Sequence, residues 1–255
     1  MKKLLKKTLK KVIKFSGYDL SKIDKCLVPV KSMNKDYLLF NFFDILKKMD
    51  FDPKHIVDIG ANHGTWTRET LKYFPNSFFT LLEPQKWLQS SFQDILDNNN
   101  KIIFHAVGAG SQNGIFNLTI SDRDDSCTFK YNKKEASDLG YKQIEVPVVT
   151  LNNLLSKQNL PTPDIIKIDA EGLDIEVLKG AKDFFGKTEI FMVEAGIVNK
   201  YFENSFLKVI NFMDENGYRL FDITDLNRPF SPNVLWLVEL VFVLKNGKID
   251  SQKIA

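Results

Sequence analysis

Cysteine is scarce: only Cys26 and Cys127 occur in 255 residues. Two thiols so far apart in sequence make neither a disulfide framework nor a cysteine metal cluster, and they fit a reducing compartment such as the cytoplasm. Histidine is scarcer in pattern than in number. His55, His63 and His105 are too widely spaced to form a metal site by motif. No apolar run is long enough for a membrane span. The start has no hydrophobic segment of the kind a secretory signal needs, because its apolar residues are interrupted by lysine pairs. Acidic residues are missing from the first 14 positions, which hold seven lysines. Subtracting those from the net charge of +3 leaves the remainder at −4, a balance that argues against a nucleic-acid surface over the whole domain.

The length fits one large domain, read as a main body over residues 51–250 behind an N-terminal helical extension over 1–50. In the lysine-rich start, Leu4, Leu5, Leu9, Val12 and Ile13 share one helix face and the lysines the other. Such a helix either lies on an anionic inner-membrane surface or packs its apolar stripe on protein. A second amphipathic helix is expected over 36–49. Strands are expected at 55–59, 78–82, 102–107, 164–169, 189–195, 218–222 and 235–244, with helices at 65–74, 86–97, 151–158, 172–182 and 203–216. Between residues 108 and 150 the pattern changes to turns and alternating strands at 114–120 and 144–150, a β insertion in which Pro147 suggests an edge.

Residues 55–67, HIVDIGANHGTWT, read as strand, glycine loop and helix. That order places a helix N-terminus, with its free N–H groups, at the carboxyl end of a buried strand. A dinucleotide fingerprint would be GxGxxG, yet Asn62 stands where the middle glycine belongs. Asp58 is an anion beside the expected pyrophosphate. Both features disfavour a nicotinamide-dependent oxidoreductase and suit a ligand with a cationic end, S-adenosylmethionine. Glu83 follows at the spacing of the carboxylate that holds ribose hydroxyls. The expected cofactor contacts are therefore Asp58, Gly60, Asn62, His63 and Gly64 for the methionine half, with Glu83 for the ribose. A buried strand with an unoccupied glycine turn would explain the first motif alone, but not its spacing to Glu83.

A second cluster, IKIDAEGLD, gathers Lys167, Asp169, Glu171 and Asp174 at another strand end. Asp169 and Glu171 can accept a hydroxyl proton, share a divalent ion, or cap the following helix. His105 is a weaker candidate base. Arg123 in the loop 121–126 could hold an anionic group, and Glu194 could border the acceptor.

VDIGANHG, LLEP, AVG, VPVVTLNNLL and IIKIDAEGLDIEVLKGA together, running in order from about His55 to Ala181, resemble the FkbM-type family of S-adenosylmethionine-dependent methyltransferases. GYRLFDI and VFVLK extend the likeness weakly. The resemblance implies an α/β, Rossmann-like class I methyltransferase sheet, mostly parallel with the last strand antiparallel. It also implies O-methyl transfer to a small-molecule or glycan acceptor: a sugar, glycan or related natural-product precursor. By position it implies cofactor contacts at Asp58, Gly60, Asn62, Gly64 and Glu83, with Ala106 and Val107 flanking the adenine and Asp169 and Glu171 facing methyl and acceptor. A non-catalytic protein that kept the fold is the remaining alternative, against which the intact carboxylates speak.

Overall fold

The computed structural model describes residues 18–20, 27–29, 37–198 and 204–252. The lysine-rich start lies outside them. Among the described residues no helix is long and apolar enough to cross a membrane.

Two short strands, β1 (Tyr18–Leu20) and β2 (Leu27–Pro29), pair antiparallel ahead of helix α1 (Tyr37–Lys48). The body then alternates: β3 (His55–Ile59), α2 (Thr65–Tyr73), β4 (Phe78–Leu82), a 3₁₀ turn at Lys86–Phe92 running into α3 (Gln93–Asn98), and β5 (Ile102–His105). An insertion follows, made of β6 (Gly108–Ala109), β7 (Gly114–Ile120), α4 (Lys133–Asp138) and β8 (Lys142–Val149). Alternation resumes with α5 (Leu151–Leu155), β9 (Ile165–Ile168), α6 (Asp174–Lys179), β10 (Ile190–Gly196), α7 (Phe206–Glu215), β11 (Tyr218–Asn227) and β12 (Leu237–Leu244).

Seven strands form one sheet in the order β11-β12-β10-β9-β3-β4-β5. The ladders between β10, β9, β3, β4 and β5 are parallel, whereas β12 runs antiparallel to both β10 and β11. The reversed last strand is thus as expected. Both faces are covered, and successive residues serve opposite faces as strand geometry requires. Val57, Ile166 and Val193 pack under α5, α6 and α7 with Leu151, Leu178 and Val209. Their neighbours Ile56, Ile165 and Met192 pack on the other side with Phe42, Phe43 and Leu46 of α1 and with Phe74, Phe79 and Phe92. Helix α1 therefore shares the core of the sheet although it belongs to the segment expected as an extension. Its apolar positions recur at helical spacing, and all four of its core residues are buried.

Strand order reverses between β3 and β9. The chain leaves β3 towards β4 and β5, then returns to build β9 and β10 on the other side. A crevice opens at such a switch point, outside the carboxyl ends of the strands.

The insertion is a three-stranded sheet ordered β6-β8-β7. Its middle strand is β8, which corrects the edge position suggested by Pro147. Proline is tolerated there because β6 pairs only with Val148 and Val149, so Pro147 lies past the end of that ladder. Helix α4 was not expected. It is six residues long, and its capping box, Asn132 with Glu135, is the one sequence signal that marks it.

Candidate active site

The site is built upward from Gly60. Its φ of +74° turns the chain out of β3, and a Cβ on it would sit 1.8 Å from the carbonyl oxygen of Asp169. Only glycine lets the β3 loop pass so close to the tip of β9. Asn62 also has positive φ, at +47°. Its N–H donates to Oε2 of Glu83 at 2.8 Å, while the N–H of Gln85 donates to Oε1 at 2.9 Å. Glu83 is 2% exposed. Burial raises its pKa, and the two backbone donors oppose that rise.

These groups line a pocket of about 610 Å³ together with Ile59, Leu82, Val107, Ala109, Phe129 and Asp169. The loop 121–126 roofs it, tied down where Gln85 Nε2 donates to the carbonyl of Asp124 at 2.8 Å. The donor set suits an adenosyl ligand: apolar walls for a base, a fixed carboxylate for ribose hydroxyls, and a glycine turn that brings backbone against the ligand. Gln85 Oε1, buried without a partner, remains as an acceptor on the same wall.

Asp58 lies behind the pocket rather than on it. Its side chain is wholly buried, accepts from Thr67 Oγ1 at 2.6 Å, and stands 3.4 Å from Lys167 Nζ. At that separation the ammonium supplies charge but not a formed hydrogen bond, which is why Asp58 Oδ1 counts as unpartnered. The expected direct grip on a cationic ligand is therefore replaced by a structural one: Asp58 and Thr67 fasten β3 to α2, and Asp58 helps hold Lys167.

Lys167 in turn reaches Asp169 Oδ2 at 3.2 Å. Burial pushes its pKa down, but Asp169, Asp58 and Glu239 together outweigh burial, and it stays protonated. Asp169 stands on the wall shared by the first pocket and a second, larger opening of about 1110 Å³, which Lys167, Trp66, Glu194, Asp225 and Glu239 also line. Glu171 lines the first pocket and a third recess that includes Glu194 and Asn204. Its φ is +49°. Burial, followed by Asp169 and Asp174, pushes its carboxyl up to about 8. Glu194 is raised well above the usual range, by burial and then by Asp169 and Asp174. Among the described residues no group of three or more His, Cys, Asp or Glu side chains converges as a metal site.

Of the other expected residues, Val107 lines the first pocket and Ala106 does not. Strand β5 ends at His105, the N–H of Val107 folds back onto the carbonyl of His105, and the chain then joins β8, so the wall begins one residue later than expected. His63 borders the second pocket, with Nδ1 3.0 Å from Ser91 Oγ and Nε2 3.3 Å from Asp124 Oδ2. Gly64 borders neither pocket. It caps α2 in the left-handed conformation, where a Cβ would meet Phe92. His105 is engaged by Gln158 at 2.9 Å, outside the pockets described, which removes it as a base. Arg123 forks onto Asp125 with two bonds of 2.8 Å at the exposed surface. The sequence reading missed Glu239 and Asn204. Glu239 alternates with apolar residues inside a strand, and Asn204 lies ahead of a helix, so neither stands out without the fold.

A sheet with a reversed last strand, a glycine turn at the switch point and a ribose-type carboxylate on the next strand defines the class as a Rossmann-like methyltransferase. The family model of the methyltransferase FkbM domain matches residues 58–220. The chain belongs to that family and is an enzyme of the S-adenosylmethionine-dependent methyltransferase class. It is similar to Methyltransferase 1 of Beauveria bassiana, 24% identical over 171 residues that cover 60% of this chain and 68% of the relative. The FkbM methyltransferase structure from Methylobacillus flagellatus KT aligns with a TM-score of 0.50 and 17% identity, over 74% of this chain and 43% of that one. This chain thus spans less than half of that protein. The family assignment removes the nicotinamide reading.

Proposed function

We propose that the chain transfers the methyl group of S-adenosylmethionine to a hydroxyl oxygen of a sugar, glycan or related natural-product precursor. The observation that carries this is Asp169, which lines both the cofactor-type pocket and the larger opening beside it. Bound in the first pocket, S-adenosylmethionine supplies a methyl group on a positively charged sulfur that leaves as a neutral thioether.

The protein's own part is alignment and proton handling. Glu83 and the turn at Gly60 and Asn62 fix the adenosyl end, and holding two reactants in line can supply several kcal/mol. Asp169 accepts the hydrogen bond of the acceptor hydroxyl and takes its proton as the new C–O bond forms. A general base of this kind contributes about 10²–10⁴-fold. Lys167, 3.2 Å away, holds that carboxylate in place. Glu171, protonated over much of the neutral range, donates or accepts a hydrogen bond at the pocket rim.

The test is titration of the purified chain with S-adenosylmethionine, followed by Asp169→Asn and Glu171→Gln. Cofactor affinity within a few-fold and turnover lost in Asp169→Asn supports the assignment. Undiminished turnover in both variants ends it. A cytoplasmic setting with peripheral contact at an anionic membrane is tested separately. Removing residues 2–14 should move the protein from anionic vesicles to the supernatant, and unchanged partitioning rejects the contact.

A further inference from the structure

One row of carboxylates crosses the second pocket. Val193 pairs with Ile168, so the next residues, Glu194 and Asp169, continue the row across β10 and β9. Glu194 lies directly opposite Glu239 on β12, and Glu239 opposite Asp225 on β11. All four line the same opening. Acidic side chains directly opposite one another weaken a sheet, so the row costs the fold stability even with Glu239 accepting from the Thr224 hydroxyl. Among the described residues the ammonium that lines this opening, Lys167, is already shared between Asp58 and Asp169. The adjoining recess sets Glu171 and Glu194 beside a cation, Lys130. Asn204, 2% exposed, borders it too, and gives its Nδ2 to Asp174 at 2.6 Å while its Oδ1 has no partner.

We infer that this surface takes an acceptor that is rich in hydroxyl donors and carries no phosphate or carboxylate near the reacting position: a neutral glycoside. The inference rests on the proposed function and names the substrate class of its acceptor site. Each carboxylate and the orphaned amide oxygen can accept a hydroxyl hydrogen, and bidentate acceptors suit the paired hydroxyls of a sugar ring. An anionic substituent would add charge beside Asp169 and beside carboxyls that burial already keeps from ionising freely, which suppresses wrong partners. For a hydroxyl beside the anomeric carbon, the sugar methylated here has therefore already left its nucleotide diphosphate, and a glycosyl transfer precedes this reaction.

The experiment uses the full chain with S-adenosylhomocysteine and saturation-transfer NMR. The probes are methyl glycosides of glucose, galactose and mannose, alongside the matching hexose 1- and 6-phosphates. Binding of glycosides at least about tenfold tighter than their phosphates is expected. Glu239→Gln, which relieves a like-charge pair and should fold, is expected to narrow that ratio several-fold. Phosphates that bind as well as glycosides, glycosides that all fail to bind, or a ratio indifferent to Glu239→Gln would each overturn the inference. The nucleoside's own signal separates the two failures: if S-adenosylhomocysteine does not bind, the proposed function falls; if it binds and the glycosides do not, only the acceptor class falls.

Discussion

The two halves of the sheet rim hold their carboxylates in opposite ways. On the β3–β4 side, Glu83 is buried yet satisfied, each oxygen receiving a backbone N–H from a fixed turn. On the β9–β10–β12 side, acidic side chains face one another across the ladders, and among the described residues Lys167 is the buried ammonium beside them, paired with Asp58 and Asp169. The first half resembles a finished mould, whose polar groups are committed before any ligand arrives. The second brings acidic side chains face to face, which under the proposed function suits a place where a proton and a new bond are handled. The two halves are stabilised by different means: backbone geometry on one side, a buried ammonium on the other.

The largest effect that would break this contrast comes from Lys167. Lys167→Met leaves Asp58, with no exposed side-chain surface, beside no cation. Removing one partner of a buried pair costs about 3–5 kcal/mol. Denaturant unfolding should show a loss of that order, and Asp58→Asn in the same background should recover part of it. A loss under about 1 kcal/mol would mean the half does not depend on this charge.

Gly60→Ala comes next. The new methyl would lie against the Asp169 carbonyl at a φ of +74°. Gly140 has the same φ with nothing within 4 Å, so Gly140→Ala isolates the backbone cost of about 1–2 kcal/mol. Gly60→Ala should exceed it and also abolish S-adenosylhomocysteine binding in calorimetry. Equal penalties would show that close approach at the switch point is unimportant.

Glu83→Gln sharpens the comparison on the binding side. An amide nitrogen would face one of two N–H donors, a mismatch worth about 1–3 kcal/mol. The expected outcome is a higher KM for S-adenosylmethionine with a smaller change in kcat. A fall in kcat at constant KM would place Glu83 in the chemistry instead.

Most of this architecture is legible in the chain itself. Parallel strands buried on both faces read as continuous apolar runs, and Ile56 through Ile59 or Ile165 through Ile168 are found where those runs predict. The glycine loop and Glu83 are legible because their spacing is a consequence of the fold. Asp58 was legible as a site residue but not in its role, since a sequence does not say which face of a strand tip meets the ligand and which meets a lysine. Ala106 missed the pocket by one residue because the turn after β5 depends on how the insertion joins the sheet. The carboxylate row was the least legible. Glu194, Glu239 and Asp225 come from three strands far apart in the chain, and only their register brings them together. The short helix α4 escaped because a six-residue helix has too little periodicity to show.

The smallest and most specific prediction concerns pH. Burial pushes Glu239 up to about 7 from an ordinary value of 4.5, despite the opposing effect of Lys167. A carboxyl whose folded pKa exceeds its unfolded one binds more protons when folded. Its ionisation therefore costs stability as pH rises through that window, and below about 4.5 it costs none. Glu239→Gln removes this penalty while its amide oxygen can still accept from the Thr224 hydroxyl. The difference in melting temperature between the variant and the parent should be smallest near pH 4.5, grow in the variant's favour up to about pH 7, and then level off. Taking the difference cancels the titrating groups remote from Glu239, leaving its own titration and that of the neighbours it acts on, Lys167, Asp169 and Asp225. Glu83→Gln should trend in the same direction, because burial raises Glu83 too, but it should start from a net loss, because the lost carboxylate was the acceptor for two backbone donors. If Glu83→Gln is as stable as the parent near pH 4.5, the two halves of the rim are not held in different ways.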